Sequence, residues 1–104
     1  MGIGFALMEE FVPGQTLSMK DYYIPTFADV PEIVPIIVES AEPSGPFGAK
    51  GVGEPALIPT APAILNALAD ALGQRIYDSP ASLERVLDAS IKAGHFGIKM
   101  KNDF

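Results

Sequence analysis

Apolar residues recur at helical spacing near the start of the chain and again, more regularly, in its second half. Ile3, Leu7 and Phe11 stand four residues apart, which predicts a short helix beginning near Gly4. The Val12-Pro13-Gly14 sequence then ends the helical pattern, because proline cannot continue the hydrogen-bond ladder.

Two longer helices are predicted in the second half, each bounded by its own start and stop signals. Thr60 and Gly73 bracket the first helix, while Ser79-Pro80 and Gly94 bracket the second. The faces predicted to be buried are, in the first helix, Leu57, Ala61, Ile64, Leu65, Leu68 and Leu72, and in the second, Leu83, Val86, Leu87 and Ile91.

β-favouring residues lie between the first helix and the second. Thr16–Ser18, Tyr22–Ile24 and Ile33–Glu39 predict two or three strands, with Pro35 marking an edge or a bulge. The order of elements predicts an α+β fold: a small, mainly antiparallel sheet covered on one face by about three helices. So thin a core leaves apolar surface for a neighbour or for self-association.

Composition mainly excludes classes of function. The 104 residues suffice for one domain, and a formal net charge of −6 with seven scattered basic residues disfavours binding to nucleic acid or to a membrane surface. Without cysteine the chain supplies no disulfide, thiolate metal site or cysteine nucleophile. The apolar stretches are interrupted by Pro, Asn or Asp, so we expect a cytoplasmic protein.

The stretch GPFGAKGVGEP, residues 45–55, holds four glycines followed by the carboxylate of Glu54. It matches neither a Walker loop nor a dinucleotide fingerprint, which disfavours nucleotide binding. One interpretation is a tight path in which Gly45, Gly48, Gly51 and Gly53 adopt positive φ. The other is a loop pressed against a bulky cofactor, where a desolvated Glu54 would have a raised pKa and could act as a general base.

The same stretch resembles a segment near the C-terminus of the large, molybdenum-binding subunit in the xanthine dehydrogenase and aldehyde oxidase family. The resemblance extends through GIGFALMEE, DYYIPTFADVPEI, LIPTAPAILNALADALG and SPASLERVL. It implies that residues 1–94 are part of a molybdopterin-binding domain, followed by a polar tail at 95–104. Family members usually carry a glutamine where this chain has Met1.

The resemblance implies a role for each residue of the loop. The glutamate closing the motif is the family's catalytic base, here Glu54, and the preceding loop lies against molybdopterin, here Lys50, Gly51, Val52 and Gly53. The implied enzyme hydroxylates N-heterocycles or aldehydes with water as the oxygen source. Its other parts would be the remaining molybdenum-subunit segments and iron-sulfur and flavin subunits, so this chain alone is expected to be inactive and to bind no cofactor.

The alternative function is a non-catalytic small domain that keeps the family fold and binds a partner chain. The remaining polar residues suggest no other site. His95 has no acid near it in sequence, and Glu9 and Glu10 are predicted to be solvated. Ser79 and Ser82 are predicted to cap a helix, and Phe47 is a candidate pocket wall.

Overall fold

Within residues 1–95, three α-helices and three single 3₁₀ turns form the regular structure. The computed structural model describes residues 1–95, so most of the predicted polar tail lies outside the described residues. The helices are α1 (Gly2–Leu7), α2 (Thr60–Leu72) and α3 (Leu83–Lys92), and the 3₁₀ turns span Phe27–Asp29, Pro46–Gly48 and Glu54–Ala56.

Helix α1 is built for close approach through its glycines. Gly2 is buried against the side chain of Thr60, and Gly4 is buried against Glu9 and Pro25, so a β-carbon at either glycine would collide with its neighbour. The helix begins at Gly2, two residues before the predicted start. Phe11 lies beyond its end and is exposed, so the predicted Ile3–Leu7–Phe11 face is wrong in its last member.

Helix α2 packs against α1 with the face that its sequence predicts. Every predicted face residue inside the helix is half-buried, whereas Leu57 precedes the helix and is exposed. Gly73 ends the helix in the left-handed conformation at φ 64°. The prediction that Thr60 caps the helix is wrong. Thr60 is the first helical residue, and its hydroxyl donates back to the carbonyl of Ala56 at 3.2 Å.

Helix α3 begins later than the Ser79-Pro80 signal predicts. Ser82 is the N-cap, and its hydroxyl accepts a hydrogen bond from the backbone N–H of Arg85. Ser79 instead donates to the carbonyl of Phe5 in α1 at 3.4 Å. Leu83 and Leu87, both predicted to be buried, are exposed, whereas Val86 and Ile91 are half-buried. Ala89 and Ser90 form the buried part of the helix.

The core is small and consists of short side chains where α1 meets the start of α3. Ala6, Ala81 and Ala89 are its buried apolar residues, and no large side chain among residues 1–95 is fully buried. The radius of gyration is 18.7 Å, against about 13 Å for a compact domain of this length. The chain therefore leaves much of its apolar surface uncovered.

The predicted α+β fold with a small antiparallel sheet is wrong, since residues 1–95 contain no strand. At Thr16–Ser18 a local turn forms instead, in which the Asp21 carboxylate accepts bonds from the backbone N–H groups of Leu17 and Ser18 at 3.3 and 3.1 Å. Residues 33–39 are exposed and irregular. A β-rich composition yields a strand only where a second strand supplies hydrogen-bond partners, and the described residues supply none.

The helical stretch Glu54–Leu72 is long and apolar enough, by length and composition, to cross a membrane. Its sequence includes Pro55, Pro59 and Pro62 as well as Asn66 and Asp70. Because α1 packs against the α2 part of this stretch, we interpret its apolar residues as packing surface. The absence of a membrane partner and a cytoplasmic location stay predictions.

Candidate functional site

The first half of the glycine loop is a closed turn held by backbone hydrogen bonds. The N–H of Glu42 donates to the carbonyl of Gly48 at 3.1 Å, and the N–H of Gly48 donates to the carbonyl of Gly45 at 3.1 Å. Phe47 and Gly48 have φ of 54° and 78°. A β-carbon on Gly45 would collide with the carbonyl oxygen of Ala49. These two glycines are thus required by the turn itself.

The second half of the loop is open. Nothing lies within 4 Å of the place where a β-carbon on Gly51 or Gly53 would stand. Gly53 has φ −144° and ψ −97°. Of the four glycines predicted to take positive φ, only Gly48 does so. Gly51 and Gly53 are therefore free of packing constraints within residues 1–95.

The backbone amides of residues 50–53 are available to a ligand. Within residues 1–95, none of these four N–H groups donates to a backbone or side-chain acceptor, and all four residues are exposed. Unpaired backbone donors beside open space can receive the oxygen and nitrogen atoms of a polar group. The loop offers this without any side chain having to move.

Glu54 stands at the start of the 3₁₀ turn Glu54–Ala56, and its carbonyl accepts the N–H groups of Leu57 and Ile58 at 2.8 and 3.2 Å. The residue lines an apolar cleft of about 420 Å³ between α1 and the start of α2. Among the described residues lining this cleft, Glu54 carries the charge; the others are Phe5, Leu57, Ile58, Ala61 and Pro62. We call this the Glu54 cleft. Since Glu54 is exposed, the dry pocket expected around it is not formed by residues 1–95.

Lys50 lines a different cleft from Glu54. This second cleft, of about 460 Å³, is bounded by Phe47, Gly48, Ala49 and Lys50 on one side and by residues 38–41 on the other. Phe47, a predicted pocket wall, borders it while remaining fully exposed. Gly51, Val52 and Gly53 join the two clefts along the chain and line neither.

The other polar residues considered in the sequence have structural contacts. Glu9 accepts the hydroxyl of Tyr22 at 2.9 Å, which raises the pKa of that hydroxyl, and Glu10 pairs with Arg85 at 2.9 Å. Glu10 is exposed, as predicted, whereas Glu9 is half-buried and hydrogen-bonded rather than solvated. His95 donates from Nε2 to the carbonyl of Leu72 at 2.8 Å. Within residues 1–95 no group of three acids or histidines could hold a metal ion.

Phe5 was not predicted to belong to the site. Its sequence signal was ambiguous, because an aromatic residue in an apolar helix is ordinarily taken as core. In the structure Phe5 is on the exposed side of α1 and reaches the Glu54 cleft, because Gly2 and Gly4 form the buried side. The available sequence signal was the pair of glycines, Gly2 and Gly4, which mark the side of the helix that approaches a neighbour and place Phe5 on another side.

Comparison with known proteins identifies several similar sequences. The aldehyde oxidoreductase molybdenum-binding subunit PaoC of Escherichia coli (strain K12) is 40% identical over 95 residues, which cover 85% of this chain and 13% of PaoC. The xanthine dehydrogenase molybdenum-binding subunit of Escherichia coli O157:H7 is 37% identical, covering 90% of this chain and 13% of that protein.

A third relative is named as part of a complex. The 6-hydroxypseudooxynicotine dehydrogenase complex subunit gamma of Paenarthrobacter nicotinovorans is 40% identical over 82 residues, covering 73% of this chain and 10% of that subunit. Neither a family model nor a solved structure matches the chain.

These similarities extend over most of this chain, although it spans only about 13% of the length of the two Escherichia coli relatives. The predicted resemblance is confirmed: the chain belongs, as a segment, to the family of molybdenum-binding subunits of xanthine dehydrogenases and aldehyde oxidoreductases.

Proposed function

We propose that the chain supplies the general base and part of the cofactor-facing loop of a molybdopterin-dependent hydroxylase. Glu54 is the base, and Lys50, Gly51, Val52 and Gly53 contact the cofactor. The observation that carries this proposal is the position of Glu54, between an apolar cleft and a run of backbone amides without partners. The names of the relatives support the cofactor, because two of them are molybdenum-binding subunits.

The residues present fit a bulky cofactor that carries polar atoms. Gly51 and Gly53 leave open space at the β-carbon positions, and the amides of residues 50–53 are free to donate to polar atoms. Lys50 adds a cation at the end of this run. When bound, molybdopterin supplies the oxygen-transfer and electron-accepting chemistry, which no amino-acid side chain provides.

The chain's own contribution is proton transfer and substrate placement. The carboxylate of Glu54 accepts a proton as the substrate is hydroxylated. The apolar walls of the Glu54 cleft hold an apolar, planar substrate against this carboxylate, and the remaining segments of the subunit close the cleft to water. N-heterocycles are the first substrate class and aldehydes the second, in agreement with the names of the relatives.

The isolated chain is proposed to be inactive and to bind no cofactor. It spans 10 to 13% of the length of the relatives described above, and a base without the other parts of the reaction centre has nothing to act on. The remaining molybdenum-subunit segments, together with iron-sulfur and flavin subunits, complete the enzyme. The designation of one relative as a complex subunit supports such an assembly.

The test is co-expression of the chain with the remaining segments of the molybdenum-binding subunit from the same organism, followed by metal analysis and assay. Glu54→Gln should lower turnover of N-heterocycles and aldehydes by about 10²- to 10⁴-fold while the molybdenum content stays unchanged. Glu84→Gln, an exposed acid in α3, is the matched control and should leave both quantities unchanged. Equal activity of Glu54→Gln and the parent would contradict the proposal.

A second candidate function is a non-catalytic interaction module. Two observations favour it: much apolar surface is exposed, and Met1, at the position where the family usually has glutamine, is 92% exposed. In the same experiment this module would join the partner segments, and Glu54→Gln would change neither turnover nor metal content.

A further inference from the structure

Residues Ile33 to Glu39, here called the exposed segment, form the most apolar uncovered stretch among residues 1–95. Ile33, Val34, Ile36, Ile37 and Val38 are 71 to 89% exposed. These residues are β-branched and sit in irregular chain with no backbone hydrogen bond among the described residues. A stretch of this kind is suited to adding as a strand to a sheet on another body.

The hydrogen-bonding edges of the exposed segment are unequal. In an extended chain, the N–H and C=O groups of alternate residues point to opposite edges. Residues 33, 35, 37 and 39 share one edge, where Pro35 has no N–H to donate. Residues 34, 36 and 38 share the other edge, which keeps all its donors. A sheet would therefore pair with the edge of Val34, Ile36 and Val38 and leave the proline edge outside.

The charges at the ends of the exposed segment disfavour a second copy of the chain as the partner. Glu32 precedes it and Glu39 ends it. Antiparallel pairing of two copies about Ile36 would place Glu39 of each opposite Ile33 of the other and next in sequence to Glu32, so each end of the pair would carry two acids while residues 32–40 offer no basic residue. A net charge of −6 on each copy adds to this repulsion. A partner with basic residues beside its strand has no such cost.

The comparisons indicate where such a partner is found. Relatives that match most of this chain extend far beyond the matched part, which is 13 and 10% of their lengths. The surface that covers these apolar side chains is thus expected in the remainder of such a subunit, on the same polypeptide or on another.

We propose that the exposed segment adds as an edge strand, through Val34, Ile36 and Val38, to a sheet in the remaining part of a molybdenum-binding subunit, next to basic residues. This attachment is independent of any catalytic role of Glu54. It holds the glycine loop on the subunit, because the second cleft is formed jointly by residues 38–41 and 47–50.

The experiment is site-specific photo-cross-linking in the organism that produces the protein. Benzoylphenylalanine replaces Ile33, which leaves the 34/36/38 edge intact, and the cross-linked peptides are identified by mass spectrometry. Two further changes are made in this background. Ile36→Pro removes a donor from the intact edge, and Ile37→Pro, the matched control, removes one from the edge that Pro35 already interrupts.

The expected result is a cross-link to a peptide of a molybdenum-binding subunit that carries Lys or Arg. Its yield should fall at least tenfold with Ile36→Pro and change less than threefold with Ile37→Pro. Three results would each overturn the proposal: a cross-link to residues 32–40 of a second copy, equal responses to the two prolines, or no specific cross-link. Because Glu54 is unchanged in all variants, failure here leaves the test of the proposed base unaffected.

Discussion

The backbone N–H of Ala81 donates a 2.7 Å hydrogen bond to the carbonyl oxygen of Ala6, and the two side chains are 2% and 0% exposed. This contact joins α1 to the residues just before α3. Both residues are alanines because the two backbones approach within hydrogen-bond distance, which leaves no room for side chains larger than a methyl group. The position of α1, and hence of Phe5 at the Glu54 cleft, depends on this joint.

A larger side chain at Ala6 should separate the joint. Ala6→Leu is expected to lower the free energy of unfolding by about 1–3 kcal/mol, because the added atoms have no cavity to fill. Ala67→Leu, on the exposed side of α2, is the matched control and should change it by less than about 0.5 kcal/mol. Urea unfolding followed by circular dichroism measures both. Similar values for the two variants would show that the joint does not limit stability.

Arg85 stabilises the same joint in two ways. It pairs with Glu10 at 2.9 Å and donates to the carbonyl of Pro80 at 2.6 Å. The ion pair is partly exposed, so a double-mutant cycle of Glu10→Gln and Arg85→Ala should give a coupling energy of about 0.2–1 kcal/mol that weakens in salt.

The Pro80 bond makes the two single variants unequal. Arg85→Ala should destabilise the protein more than Glu10→Gln, because only the arginine change leaves the Pro80 carbonyl without its donor. Unfolding in low and high salt separates the contribution of the ion pair, which salt weakens, from that of the hydrogen bond to Pro80. Equal costs for the two variants would mean that the bond to Pro80 contributes nothing.

The helices could be predicted from the sequence because their signals are local. The period of α2 and the left-handed glycine at its end are properties of neighbouring residues, and both are confirmed. The helix starts were less predictable. Ser79, which precedes a proline, and Ser82, three residues later, are equally good caps by residue type. Packing against α1 selected Ser82.

The predicted sheet failed for a different reason. Strand formation depends on hydrogen-bonding partners that can be distant in sequence, and the β-branched composition of Ile33–Glu39 does not indicate where those partners are. The site was likewise predictable only where it depends on local sequence. Glu54 and the open glycines follow from the motif, whereas Phe5 and the separation of Lys50 from the Glu54 cleft depend on how α1 and residues 38–41 are placed.

The turn at Thr26 and Asp29 should respond to acid. The Thr26 hydroxyl and backbone N–H both donate to the Asp29 carboxylate, at 2.8 and 2.7 Å, and lower its pKa below the ordinary 3.8. A lowered folded pKa means that the stabilisation is present above pH 3.8 and is lost as the pH falls through the folded pKa. Thr26→Val removes the larger contribution, so the pKa of Asp29 should rise toward 3.8.

Carbon-13 NMR titration of the carboxyl groups measures this change, and a second turn provides the control. Ser44 lowers the pKa of Glu42 in the same way, through bonds from its hydroxyl and N–H. Ser44→Ala should raise the pKa of Glu42 toward its ordinary 4.5 and leave Asp29 unchanged. An Asp29 pKa that stays the same in Thr26→Val would contradict the contribution of the hydroxyl.

The four glycines of the loop should separate into two classes on substitution. Gly48 has φ 78° and its β-carbon would lie 3.2 Å from the backbone of Ala41, so Gly48→Ala should weaken the turn by about 1–2 kcal/mol. The amide of Glu42, which donates to Gly48, should then exchange its hydrogen about tenfold faster. Gly51→Ala meets open space and should leave this exchange rate unchanged.

The same two variants separate folding from ligand binding in the assembled enzyme. If the cofactor lies against residues 50–53, Gly51→Ala should reduce the molybdenum content of the complex although the turn is intact, because its methyl group occupies space that the ligand needs. Full metal content in Gly51→Ala would mean that the ligand approaches elsewhere. Slower exchange of the Glu42 amide in Gly48→Ala would contradict the assignment of that glycine to the turn.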